Sequence, residues 1–122
     1  MAIAITLEDN NGLNSKVSSI FGRCPFFLLI DPETKKFTIH ENEAKKASGG
    51  AGVQAAQWIV DQKVDAVITG NVGPKAHTVL FAASLPVYQF DGTNIENALE
   101  AYAQQKLTNL FEPNTDAHAG IR

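Results

Sequence analysis

Three short segments hold most of the residues in this chain that could do chemistry: residues 18–24 (SSIFGRC), 48–52 (SGGAG) and 70–77 (GNVGPKAH). The two glycine-rich segments each open a helical pattern. A helix N-terminus carries unpaired backbone N–H groups and a partial positive charge, and glycine lets a ligand approach that backbone closely. Gly50, Ala51 and Gly52 at one helix start, and Gly70, Asn71, Val72 and Gly73 before the other, are therefore candidate donors to an anion. Arg23 adds a permanent charge with planar donors, and Lys75 adds a second charge near the second helix start. Phe21, Gly22 and Cys24 surround Arg23, and His77 offers a ring nitrogen as a hydrogen-bond donor or metal ligand.

Each of these residues also has a plainer reading. Either glycine segment can be a tight turn, and neither matches a phosphate fingerprint: there is no GxxxxGK[ST], and SGGAG does not follow the first strand as a dinucleotide motif should. Arg23 can be a solvated arginine or pair with a carboxylate. Cys24 is the only cysteine, so packing as a small apolar residue is preferred over metal ligation. His77 can be an ordinary exposed histidine. Trp58 suits the core or a partner contact better than a cofactor cage. Phe21 suits the core but can also wall a site. His40 and His118 have no place in the constellation.

Catalytic patterns are missing. Serine, histidine and acidic residues are scattered, with no nucleophile elbow. A two-metal nuclease site needs several converging carboxylates, and the runs AIAITL and AVIT contain none. Glu8, Asp9 and Asp65 flank those runs as turn and solvent residues. The formal net charge of -3 gives no general case for holding nucleic acid. A non-enzymatic role is the expectation.

The elements that must position these segments follow from the patterning. With 122 residues, 44% hydrophobic and 19% charged, the chain fits one globular domain. Residues 2–7 form a β-branched run suited to a strand buried on both faces. A polar loop follows. Residues 25–31 and 36–40 suit two strands of a hairpin turned at residues 31–34, the second strand half exposed. Residues 53–62 carry helical spacing, and residues 66–69 a short buried strand. Pro74 begins a helix to about residue 83. Residues 86–90 suit a strand. Thr93, with Glu96 three residues on, suits an N-cap and capping box for a helix over 94–104.

The order β-β-β-α-β-α-β-α implies an α/β fold: a ribonuclease-H-like, mixed five-stranded sheet of order 3-2-1-4-5 with three helices. In such a sheet ligands bind beyond the carboxyl ends of the parallel strands, and the three segments share that rim. Residues 1–110 are expected to form one α/β domain that carries this ligand rim, and residues 111–122 a flexible tail. A lone thiol, no secretory leader and no apolar run near the roughly 18 residues of a membrane span suggest a cytoplasmic protein.

Taken jointly, SSIFGRCPFFLLID, the helix-opening GAG, VDAVITGNVGPKAHTVL and LPVYQFDGTNIENALEAY resemble the dinitrogenase iron-molybdenum cofactor biosynthesis family, from residue 1 to about residue 107. The resemblance implies a ribonuclease-H-like fold without nuclease carboxylates, and cofactor carriage in place of catalysis. The family includes nitrogenase accessory proteins that hold iron–molybdenum cofactor or its precursors. It also includes small orange-protein-like members carrying a molybdenum–copper sulfide cluster. For this chain it implies Phe21, Gly22, Arg23, Gly50, Ala51, Gly52, Gly70, Gly73 and His77 as the cluster rim. Cys24 stands where a small residue such as Ala or Ser is expected.

The expected ligand is thus an anionic Mo–Cu sulfide cluster, or another molybdenum or iron–sulfur cluster, held non-covalently. If sulfides already complete the metal coordination, backbone N–H groups, Arg23 and an apolar wall suffice to hold it. Partners would be that inorganic cluster and proteins of cluster delivery or regulation, with no nucleic acid and no membrane. The alternative is a regulatory or protein-interaction module of the same fold with no cluster. A hydrolase acting on nucleic acid or a phosphoester is the least favoured reading.

Overall fold

The computed structural model describes residues 1–110. Its elements are β1 (Ile3–Leu7), β2 (Phe26–Ile30), β3 (Phe37–Glu41), α1 (Ala51–Asp61), β4 (Ala66–Thr69), α2 (Pro74–Ala82), β5 (Val87–Gln89), α3 (Ile95–Ala103) and β6 (Thr108–Asn109). Short 3-10 turns lie at Gly12–Asn14 and Glu43–Lys46. The expected tail, residues 111–122, falls outside the described residues.

The sheet has the order β3-β2-β1-β4-β5-β6. β1 pairs parallel with β4, and β4 with β5, so their carboxyl ends share one rim. β2 and β3 form the expected antiparallel hairpin, with Phe27 opposite Thr6 and His40 opposite Phe27. The five expected strands keep their order, and the structure adds β6, antiparallel to β5. Two residues carry no period-2 pattern, so β6 depends on the open edge of β5 and not on its own sequence.

The side-chain alternation of the strands sorts the core into two layers. Ala4 and Val67 face Ala55, Ala56 and Ile59 of α1 and Leu80 of α2. Ile3, Ile5, Leu7 and Ile68 face Ile95, Ala98 and Leu99 of α3. β1 and β4 are buried throughout, as strands covered on both faces must be. Trp58 stacks on Phe27 with ring centroids 5.2 Å apart, an extension of the α1 layer.

α3 begins one residue later than the capping-box expectation. Asn94, not Thr93, is its N-cap, accepting from the Asn97 N–H at 3.2 Å. The Thr93 carbonyl is engaged by the Val17 N–H at 2.8 Å, which holds the preceding backbone against the loop after β1. The polar stretch after β3 is also more ordered than its composition implied. Asn42 caps the Glu43–Lys46 turn by accepting from the Ala44 N–H at 3.1 Å.

Candidate functional site

The three segments meet at the carboxyl rim. Asn71 pairs in a single parallel bridge with Ile20, and its N–H donates to the Ser19 carbonyl at 2.8 Å. This joins the loop after β4 to the segment before Arg23. A β-carbon at Gly70 would collide with Ser19 backbone, so only glycine permits that join. On the far side, Gly52 in the first turn of α1 lies against α2: a β-carbon there would stand 3.3 Å from that of Ala76. The glycines thus set how closely the segments approach.

Between the segments lies an open cavity of about 430 Å³, lined by Ile20, Gly22, Arg23, residues 50–53 and residues 73–76. α1 and α2 both begin at it. Gly50 is the N-cap of α1, with φ of 71°, a left-handed backbone that glycine adopts without steric cost. Gly73 is the N-cap of α2, with Pro74 in the first turn. Neither helix has a side-chain cap or an acidic residue in its first turn. α3, which begins elsewhere, has both, in Asn94 and Glu96. First-turn N–H groups have no intrahelical acceptor, and Ala51, Gly52, Val53, Lys75 and Ala76 all line the cavity. Among the described residues, Arg23 and Lys75 are its charged lining residues, and no carboxylate lines it. The local field is therefore positive in a chain whose formal net charge is -3.

Arg23 is held at its tip. Its Nη1 donates to the Lys45 carbonyl at 2.8 Å, which leaves the rest of the planar fork available. Ile20 and Val53 form apolar lips, 45% and 37% exposed.

Of the residues expected at the site, the cavity gathers Gly22, Arg23, Gly50, Ala51, Gly52, Gly73 and Lys75. The structure places the others away from it. Phe21 and Val72 are buried apolar core, and Phe21 packs on Phe27 at 6.0 Å. Gly70 and Asn71 border a separate cavity of about 280 Å³ with Glu8, Lys16 and Asp91. His77 is not an exposed histidine: it is buried, stacked on Phe81, with Nε2 donating to the Leu110 carbonyl at 2.9 Å. It lies two residues beyond Lys75, roughly 200° around the helix, and lines a different cavity. Cys24 is fully buried among the α1 and α2 core residues. Burial pushes its thiol up to about 12, and the smaller opposing effect of the Asn42 amide does not reverse this. It is a protonated packing residue and not a thiolate.

Ile20, Val53, Pro74 and Ala76 line the cavity without having been singled out. Their signal was position: Ile20 lies within SSIFGRC, and the others are first-turn residues of the two helices.

Among the described residues the lining contains no thiolate, imidazole or carboxylate, a set not built to coordinate a bare metal cation. Among the described residues, no group of three or more His, Cys, Asp or Glu side chains forms a metal site elsewhere. Backbone donors, two cations and an apolar rim suit an anion that brings its own metal coordination.

Fold and site together define a small α/β domain with an electropositive cavity at the carboxyl rim of its sheet. A sequence model of the dinitrogenase iron-molybdenum cofactor family matches residues 1–105, and the chain belongs to that family. The chain is similar to the orange protein of Desulfovibrio gigas, solved in its apo form, with a TM-score of 0.87 and 32% identity over 93% of this chain and 96% of that one. It is also similar to a NifB-like protein from Thermotoga, with a TM-score of 0.75 and 31% identity over 89% of this chain and 92% of that one. An uncharacterised protein of Methanocaldococcus jannaschii is 32% identical over 88% of this chain and 89% of its own length. Among the described residues no helix is long and apolar enough to cross a membrane.

Proposed function

We propose that this protein binds and carries an anionic, molybdenum-containing metal–sulfur cluster, of Mo–Cu sulfide or iron–molybdenum cofactor type, without turning over a substrate. One observation carries the reading: two uncapped helix N-termini, Arg23 and Lys75 surround a single cavity that, among the described residues, no carboxylate lines. Family membership and the likeness to the orange protein support it.

The chemistry is that of cargo binding. Sulfide ligands of a thiometallate already satisfy the metals, so the protein meets the cluster's outer sulfur atoms with N–H donors and charge. Ile20, Val53 and Pro74 offer apolar contact to polarizable sulfides. With no covalent ligand and an open mouth, the cluster would be displaceable, as a carrier in the cytoplasm requires.

The test is protein purified without oxygen, followed by elemental analysis and an absorption spectrum, then titration with tetrathiomolybdate with and without copper. Wild type should develop saturable charge-transfer bands. Arg23→Ala should weaken binding on the order of tenfold, the effect of losing a hydrogen bond to a charged group. A colourless, metal-free protein that leaves the tetrathiomolybdate spectrum unchanged would end the proposal.

A further inference from the structure

The arginine at the cavity does not hold its own place; a buried amide beneath it does. Asn42 is 3% exposed, and its side chain reaches back from the turn after β3 to the loop that carries Arg23. Its Nδ2 donates to the Gly22 carbonyl at 3.0 Å and to the Cys24 carbonyl at 2.8 Å. One NH2 group thus fixes the carbonyls on both sides of Arg23. The Asn42 backbone N–H donates to the Pro25 carbonyl at 2.9 Å, and the Asn42 carbonyl accepts from the Lys45 N–H at 3.2 Å. Lys45 in turn supplies the carbonyl that holds the Arg23 guanidinium.

Asn42 therefore braces Arg23 at both ends, at the backbone through the carbonyls of its two neighbours and at the tip through the turn it caps. The braced loop is also seated on the helix start, since Gly22 lies against Gly52 backbone. We infer that Asn42 is the positioning residue of the anion site: it sets the orientation of Arg23 relative to the N-terminus of α1, and thereby the affinity and the spectrum of the bound cluster. This rests on the carrier reading above.

Asparagine is specifically suited to the task. Its oxygen caps the turn while its nitrogen donates to two carbonyls, and no other side chain of that size combines an acceptor with two donors. Aspartate at this position keeps the cap and loses both donors, setting a carboxylate against two carbonyl oxygens. Asn42→Asp thus separates the two roles.

The experiment compares wild type, Asn42→Asp, Arg23→Ala and the double variant in titrations with tetrathiomolybdate and copper, with folding checked by circular dichroism. Asn42→Asp should weaken binding by up to about tenfold, no more than the loss of Arg23 itself, and should displace the charge-transfer bands. In the Arg23→Ala background the same change should add little, because Asn42 acts through Arg23. A purely structural role would instead give losses that multiply, with unshifted bands. Asn42→Ser provides a second variant should the aspartate fail to fold: it retains a capping oxygen and cannot reach both carbonyls. If wild type binds and either folded variant binds as well as wild type, Asn42 is not the positioning residue, while the carrier reading stands. If wild type binds nothing, both fall.

Discussion

Gly22 and Gly52 touch backbone to backbone: a β-carbon on Gly22 would stand 2.8 Å from the α-carbon of Gly52 and 3.0 Å from its nitrogen. That distance is below any ordinary carbon–carbon contact, and the obstacle is a helix turn and not a flexible side chain. Gly22→Ala is expected to push the Arg23 loop off α1. Overpacking of this kind costs about 1–3 kcal/mol, and the loss should appear in both thermal stability and thiometallate affinity. Gly49→Ala is the control, since nothing lies within 4 Å of its would-be β-carbon. Equal melting temperatures for the two variants would show that the loop has room the structure does not give it.

Beneath the rim, Thr6 and Thr69 share a buried hydrogen bond of 2.7 Å between hydroxyls at the carboxyl ends of β1 and β4. Thr6 also donates to the Ser18 carbonyl at 3.3 Å, so Thr69 is the donor within the pair. The two positions are therefore unequal. Thr6→Val leaves both the Thr69 hydroxyl and the Ser18 carbonyl without that partner, at a cost of about 1–3 kcal/mol. Thr69→Val leaves Thr6 still bonded to Ser18 and should cost about 0.5–1.5 kcal/mol. Denaturant unfolding of both variants checks the order, and a larger loss for Thr69→Val reverses the donor assignment.

Much of this arrangement was legible in the chain, and what was not has identifiable physical causes. β1 and β4 are short β-branched runs, and Pro74 marks a helix start at any level of description. Convergence of the three segments followed from strand order alone. Asn42 was invisible because its partners Gly22 and Cys24 lie 20 and 18 residues away, and a polar residue in a polar stretch carries no local sign of burial. His77 is the opposite case. The helical phase that puts Lys75 at the cavity turns His77 away from it, so spacing held information that residue type obscured.

From that phase follows a prediction about His77 itself. Its ring bonds the Leu110 carbonyl at 2.9 Å and stacks on Phe81 at 5.9 Å, so its work is to fasten the chain after β6 to α2. His77→Ala should lower stability by about 0.5–1.5 kcal/mol, as expected when a part-buried hydrogen bond is lost. Tetrathiomolybdate affinity should stay within about twofold of wild type, a margin well under the factor of ten that 1.4 kcal/mol represents. A tenfold loss of affinity with stability intact would make His77 part of the site after all.

Cys24 offers the pH test. Its thiol ionises near 9.0 when solvated and is pushed up to about 12 in the fold, mainly because burial disfavours the thiolate. Folding stability from this group is complete below about pH 9 and declines as pH rises from there toward 12, since the unfolded chain then releases a proton that the folded chain keeps. The decline amounts to about 1.4 kcal/mol per pH unit in that interval. Cys24→Ala should therefore flatten the alkaline limb of the stability curve between about pH 9 and pH 11 relative to wild type, beyond which other groups dominate. The native thiol should likewise resist iodoacetamide at about pH 8 and react only when denaturant opens the core, because the thiolate is the nucleophile and this one is neither formed nor exposed. Rapid, stoichiometric alkylation of the folded protein at that pH would place the sulfur at the cavity, as a ligand the fold does not now give it.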